Sequence, residues 1–154
     1  MTPTRFETSD PEQAPAATLL AEMSDELNRL YWTDSRLTRP ALSVDEMRAP
    51  GGTYLVGWRD DQAVAGGGLR RITGPVAEIK RMYVRPSARA QGVAGELLAA
   101  LEDAAGALGY RRIRLDTGPK QEHALRLYRK AGYVDITPYN DNPFASFWGE
   151  KALS

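Results

Sequence analysis

The most informative segment of the chain runs from Val84 to Leu98 and reads VRPSARAQGVAGELL. At its start, Met82 and Val84 are spaced as the apolar residues of a half-buried strand. From its end onward, apolar residues recur at the spacing of one helix face: Leu97, Leu98, Leu101, Ala105 and Leu108. The stretch therefore predicts a strand, then a loop, then a helix.

The loop in this stretch is suited to binding an anion. Gly92 and Gly95, with Ala94 between them, leave the first helical turn without large side chains, so its unpaired N–H groups are accessible. These donors and the helix dipole favour phosphate, and Arg89 adds a positive charge just before them. The alternative is a tight corner that binds nothing. The dinucleotide fingerprint and the nucleoside-triphosphate loop are both absent.

The spacing Arg89-x-x-Gly92-x-Ala94 resembles the acetyl-coenzyme A signature of the GNAT superfamily of N-acetyltransferases, which reads Arg/Gln-x-x-Gly-x-Gly/Ala. Residues 78–86 and 124–133 resemble the family segments that flank this signature, in the same order. The resemblance covers Thr53 to Lys151 well and the N-terminal third in outline. It implies that acetyl-CoA is the cosubstrate. The residues implied to bind it are Met82, Tyr83, Val84, Arg89, Gln91, Gly92, Val93, Ala94, Gly95 and Glu96.

The resemblance also implies the fold class. We expect an α/β (α+β) fold, with a mixed, mostly antiparallel sheet that is splayed between two parallel strands and flanked by helices on both faces. The length of 154 residues suits a single GNAT acetyltransferase domain over residues 1–154. At its N-terminus, Asp10 followed by Gln13 has the form of a capping box and predicts the start of the first helix.

Two irregularities are predicted in the central strands. Between Val76 and Val84, Ile79 is out of phase with the later apolar residues, which predicts a β-bulge near Lys80 or Arg81. Such a bulge would bend the strand away from its parallel neighbour. The GNAT fold admits the pantetheine arm of the coenzyme into a gap of this kind. In the preceding strand, three glycines at 66–68 indicate either another bulge or a place where something approaches the backbone closely.

Two residues are implied to move protons. Acetyl transfer to an amine needs a base for the incoming ammonium and an acid for the departing thiolate. By position, the resemblance implies that Glu78 is the base, directly or through a water, and that Tyr128 is the acid. The alternative for Glu78 is a carboxylate paired with a neighbour such as Lys80 or Arg71. The alternative for Tyr128 is a core tyrosine with a satisfied hydroxyl.

The acceptor site is predicted from two groups of residues. Tyr31 and Trp32 follow the first helix, in a region that overhangs the acceptor pocket of the GNAT fold, although ordinary packing would also explain them. Lys80 and Arg81, beside the bulge, are predicted to bind an anionic part of the acceptor, such as an amino-acid carboxylate. The expected acceptor is a primary amine of a small molecule. The alternatives are a peptide or protein acceptor, a non-catalytic acyl-CoA-binding module and a plain phosphate binder.

Composition argues against several other classes of function. Lys plus Arg and Asp plus Glu each number 20, so no net charge favours nucleic acid or an anionic membrane. There is no cysteine and one histidine, which is a poor ligand set for a metal and agrees with a reducing cytoplasm. We expect a cytoplasmic enzyme with no metal. A homodimer is compatible with the sequence.

Overall fold

The computed structural model describes residues 3–31 and 44–154, with the backbone alone for Tyr31. A seven-stranded sheet has the order β1-β2-β3-β4-β5-β7-β6. Its strands are β1 Arg5–Thr8, β2 Thr53–Arg59, β3 Gln62–Thr73, β4 Val76–Val84, β5 Arg112–Thr117, β6 Val134–Asp135 and β7 Phe147–Ala152. The helices are α1 Ala16–Tyr31, α2 Val93–Ala107 and α3 Glu122–Lys130, with short 3-10 helices at Val44–Met47 and Pro86–Ala88. No helix in these described ranges is long and apolar enough to cross a membrane.

The sheet is mixed and parts in the middle. All adjacent strands pair antiparallel except β4 and β5, which are parallel. That parallel pairing covers only Val76–Glu78 of β4, opposite Arg112–Arg114 of β5. Beyond Glu78, β4 continues for six residues without a partner on that side, while β5 stays paired with β7 along its whole length. The predicted splayed sheet is confirmed.

Two apolar clusters lie on opposite faces of the sheet, because successive residues of β2 alternate between them. Leu55 belongs to the cluster that packs against α2 and α3, whereas Tyr54 and Val56 belong to the cluster that packs against α1. Helices therefore cover both faces, as expected. The cluster under α2 is the larger of the two.

The bulge in β4 is where the sequence predicts it. Lys80 lies opposite Gly68 and Tyr83 lies opposite Gly66, so β4 has two residues where β3 has only Gly67. Arg81, one of the two, has a left-handed φ of +60°. An extra residue in this conformation increases local bending and twist, which agrees with the separation of β4 from β5 just beyond Glu78.

The three glycines of β3 make room for side chains on both faces of the sheet. A Cβ at Gly67 would lie 2.9 Å from Leu101 Cδ1 of α2. A Cβ at Gly66 would overlap the hydroxyl of Tyr54, and one at Gly68 would overlap the sulfur of Met47. The groups that approach these glycines closely are therefore side chains of the protein's own core. The extra residue of the bulge lies in β4 and not in β3.

The predicted start of the first helix is wrong. α1 begins at Ala16, six residues after Asp10. The Asp10 carboxylate instead closes a turn, accepting the N–H of Glu12 at 2.9 Å, and forms an ion pair with Arg48 at 2.7 Å. Arg48, which is distant in sequence, thus binds the carboxylate that would otherwise cap the helix.

Candidate active site

The coenzyme loop predicted from sequence connects β4 to α2. Gly92 is the N-cap of α2 and has a left-handed φ of +82°. The first intrahelical bond runs from the Glu96 N–H to the Gly92 carbonyl at 3.2 Å, so the N–H groups of the three preceding residues have no acceptor within the helix. A Cβ at Gly92 would meet nothing within 4 Å. Glycine is needed there for its backbone conformation, which sets the direction of these donors.

Arg89 is bound within the protein. Its Nε donates to the Val84 carbonyl at 2.8 Å, its Nη2 pairs with Glu26 of α1 at 2.6 Å, and its guanidinium lies over the Tyr83 ring at 5.7 Å. A carboxylate therefore offsets part of the charge that the sequence led us to expect. The backbone amides of the first helical turn are therefore the main candidate anion-binding groups of this loop.

Arg59 lies beside the same loop, which sequence reasoning missed. Its Nη1 donates to Oε1 of Gln91, and Gln91 Nε2 donates to the Ser87 carbonyl at 3.3 Å. Arg59 ends β2, 32 residues before Gln91. Only the order of strands in the sheet brings the two together, so no local pattern in the sequence signals the contact.

A cavity of about 410 Å³ lies where β4 and β5 part. Polar residues on its wall include Arg70, Lys80, Arg81, Asp116, Thr117, Asn140, Asp141 and Asn142. Apolar residues on its wall include Met23, Leu27, Ile79, Met82, Ala124 and Phe144, and Tyr128 completes this side. The cavity thus brings together four residues predicted from sequence: Lys80, Arg81, Met82 and Tyr128.

Glu78 lies behind the cavity wall. It has no exposed surface, and both of its oxygens are bound: Arg70 Nε donates to Oε1 at 2.7 Å and the Tyr139 hydroxyl donates to Oε2 at 2.6 Å. Lys80 Nζ is 3.7 Å from Oε2. Pairing with Lys80 was foreseen. The main partner is Arg70 rather than Arg71, because Arg70 is directly opposite Glu78 in the β3–β4 register.

Asp116, at the end of β5, is a second carboxylate of the site that sequence reasoning missed. Asn140 Nδ2 donates to Oδ2 at 2.7 Å, and Asn142 Nδ2 is 3.4 Å from Oδ1. Trp148 Nε1 donates to Asn140 Oδ1 at 2.9 Å and orients that amide. The loop that carries both asparagines is rich in turn-forming residues, and this composition is the signal from which the contact could have been found.

Tyr128 projects from α3 and is 7% exposed. Its hydroxyl is 3.8 Å from the sulfur of Met82, and its ring packs edge-on against Tyr133 with centroids 6.0 Å apart. Burial raises the pKa of Tyr128 well above its usual value of 10.0, and the negative charge of Asp116 raises it further. The phenol therefore keeps its proton throughout the ordinary pH range.

Tyr83, another predicted residue, does not line the cavity. The Tyr83 side chain is on the α1 face of the sheet, where its hydroxyl donates to Glu22 at 3.2 Å, so only its backbone can meet the coenzyme. Trp32 and the side chain of Tyr31 lie outside the described part of the chain.

Comparison with known proteins identifies the family of this chain. The model of the acetyltransferase (GNAT) family matches residues 20–133. An IAA acetyltransferase of Azospirillum brasilense is 33% identical over 147 residues, covering 93% of this chain and 94% of that protein.

Two solved structures share the architecture. A Klebsiella pneumoniae protein, provisionally described as an acyl-CoA N-acyltransferase, has a TM-score of 0.77 and 26% identity over 98% of both chains. An aminoglycoside 6'-N-acetyltransferase bound to coenzyme A has a TM-score of 0.72 and 18% identity over 97% of both chains, a likeness of fold alone. The family match and the A. brasilense relative place this chain in the GNAT family of acetyltransferases, and it is an acyltransferase.

Proposed function

We propose that this enzyme transfers the acetyl group of acetyl-CoA to a primary amine of a small, amino-acid-like molecule, by direct attack in a ternary complex. The observation that carries the proposal is the gap between β4 and β5, which has the amide-rich loop at one side and the polar cavity containing Tyr128 at the other. A thioester arm entering this gap would be held at its diphosphate by the loop. Its acetyl group would then reach the cavity.

The edge of β4 supports this placement of the arm. The Arg85 N–H donates to the Val64 carbonyl of β3 at 2.8 Å, so the alternation of an antiparallel strand directs the Val84 amide away from β3 and toward the gap. The bond from Arg89 to the Val84 carbonyl agrees with that direction. This geometry favours the N–H of Val84, rather than that of Tyr83, as the donor to the thioester oxygen.

Charge on the cavity wall supports an amino-acid-like acceptor. Lys80 and Arg81 on β4 are predicted to bind its carboxylate, and they face a wall that carries Asp116 and Asp141. The proposed base, Glu78, would act through a relay, because Arg70 and Tyr139 occupy its oxygens. Tyr128 is the proposed acid.

An amine panel tests the proposal. Purified enzyme and acetyl-CoA are incubated with L-amino acids, amino alcohols, polyamines, arylalkylamines, a lysine peptide, an aminoglycoside and IAA, and the free thiol released is measured. The aminoglycoside and IAA are included because similar proteins carry those names. We expect turnover with small primary amines, greatest with those that carry a carboxylate. Turnover with the peptide alone would contradict the proposal, as would calorimetric binding of acetyl-CoA without thiol release from any amine.

A further inference from the structure

We infer that Asp116 is the carboxylate that contacts the acceptor's ammonium group and accepts its proton directly. This inference rests on the proposed transfer of an acetyl group to an amine, and it assigns the role of base to Asp116 in place of Glu78.

The two carboxylates of the site differ in whether an acceptor molecule can reach them. Glu78 has no exposed surface and accepts two short hydrogen bonds, so an acceptor nitrogen reaches it only if Arg70 or Tyr139 moves. Asp116 lines the cavity itself. Its side chain is 8% exposed, which leaves contact surface toward a molecule inside the cavity.

The hydrogen bonds of Asp116 leave one oxygen available. Asn140 donates to Oδ2 at 2.7 Å and fixes the carboxylate, whereas the contact of Oδ1 with Asn142, within the described ranges, is longer at 3.4 Å. Lys80 Nζ, 3.8 Å from Oδ2, is near enough to attract the charge but beyond hydrogen-bond distance. A carboxylate accepts up to about four hydrogen bonds, so Oδ1 can still receive one from an ammonium group.

Thr117, the next residue, gives independent evidence that a polar ligand belongs here. It lines the cavity and is 6% exposed, and its Oγ1 has no hydrogen-bond partner among the described residues. A buried polar atom left unpaired is unfavourable, because it has lost its hydrogen bonds to water without replacement. Since neighbouring side chains alternate along a strand, a polar group of the bound acceptor that reaches the other side of β5 would pair with this hydroxyl. The acceptor class is therefore a primary amine with a further hydrogen-bonding group, as in an amino acid or an amino alcohol.

The proton and bond changes balance with the groups present. The ammonium gives one proton to Asp116, and the neutral amine attacks the thioester carbon. A C–N bond forms and the C–S bond breaks. Tyr128 gives its proton to the departing thiolate and recovers one from the acylated nitrogen, while Asp116 returns its proton to solvent. The net products are the amide, coenzyme A thiol and one proton.

The test compares Asp116→Asn with Glu78→Gln, and uses Asp103→Asn on the exposed side of α2 as the matched control. The probe is the amine of the panel above that the wild type acetylates fastest. For Asp116→Asn we expect kcat/KM to fall by about 10²-fold or more, within the range for general base catalysis. Its remaining activity should shift to alkaline pH, because the amine must arrive already neutral. Asp103→Asn should match the wild type in rate and in pH profile.

A measurement of coenzyme binding distinguishes a catalytic role of Asp116 from a structural one. The Asp116→Asn variant should bind acetyl-CoA as the wild type does, measured by calorimetry. If asparagine disturbs folding, Asp116→Ala with added formate provides a second route, and formate should restore part of the turnover. An unchanged pH profile in Asp116→Asn, or loss of activity in Glu78→Gln alone, would overturn the inference and leave the proposed function standing. Absence of wild-type turnover with every amine would overturn both.

Discussion

The hydroxyl of Tyr128 can be tested apart from its ring. Tyr128→Phe keeps the edge-on packing against Tyr133 and removes only the group that contacts Met82. If that hydroxyl protonates the thiolate, kcat should fall by about 10²-fold, as expected for loss of a general acid. The affinity for coenzyme A, measured by calorimetry, should barely change.

Tyr54→Phe is the matched control for this substitution. Tyr54 is also fully buried, but its hydroxyl lies outside the cavity and has no partner among the described residues. Removing an unpaired buried hydroxyl should leave kcat unchanged and keep or raise the free energy of unfolding. A normal kcat in Tyr128→Phe would reject the acid assignment.

The role of Gly92 in coenzyme binding can be tested apart from its role in the stability of α2. Gly92→Ala forces a Cβ onto a φ of +82°, which costs about 1–2 kcal/mol or makes the loop rotate away from its present shape. Rotation would misdirect the amides of the first helical turn, so the Kd for coenzyme A should rise about tenfold, equivalent to about 1.4 kcal/mol. Gly92→Glu adds a negative charge at the anion site and should abolish binding.

The matched control is Gly109→Ala at the other end of α2. Gly109 has a φ of +92° and, like Gly92, open space around an added Cβ. This variant should lose similar stability and bind coenzyme A normally. Equal loss of affinity in the two variants would show that helix stability, rather than the loop, controls binding.

At the scale of the elements, Arg81 in the bulge of β4 has two separable properties. One is its left-handed backbone conformation and the other is the positive charge of its side chain. Arg81→Asn keeps a residue that tolerates left-handed φ, whereas Arg81→Val places a β-branched residue where φ is +60°. Both variants should lose the preference for acceptors that carry a carboxylate. Only the valine variant should bind coenzyme A more weakly, by calorimetry, because it favours regular pairing that closes the gap. Normal binding by the valine variant would show that the bulge does not keep the strands apart.

Patterns within single elements explain what the sequence could predict. The phase error at Ile79 lies inside β4, and it located the bulge because side chains alternate strictly along a strand. The glycines of the loop could likewise be recognised without knowledge of the rest of the fold. Contacts between elements were not predictable in the same way. The partner of Glu78 depends on hairpin register, and the contacts of Asp116 with the loop at 140–142 span 24 and 26 residues of sequence.

At the scale of the whole molecule, the two packed faces of the sheet bury phenols on each side. Five tyrosines among the described residues have a pKa raised above the usual 10.0, in each case mainly by burial: Tyr54, Tyr83, Tyr128, Tyr133 and Tyr139. Nearby carboxylates strengthen the effect for the last four, through Glu22, Asp116, Glu102 and Glu78 respectively. The folded protein therefore keeps these protons at a pH where the unfolded chain loses them.

This difference predicts loss of stability in alkali. Above pH 10 the unfolded state binds fewer protons than the folded state, so the free energy of unfolding falls as pH rises, by up to about 1.4 kcal/mol per pH unit for each such tyrosine. Below about pH 9 these groups contribute no pH dependence, because both states are protonated. Urea unfolding of the wild type and of Tyr54→Phe between pH 8 and 11 measures the effect, and the comparison cancels the titration of lysines. The variant should lose stability less steeply above pH 10, by the contribution of one proton. Parallel curves for the two proteins would mean that Tyr54 ionises as easily in the folded state as in the unfolded chain.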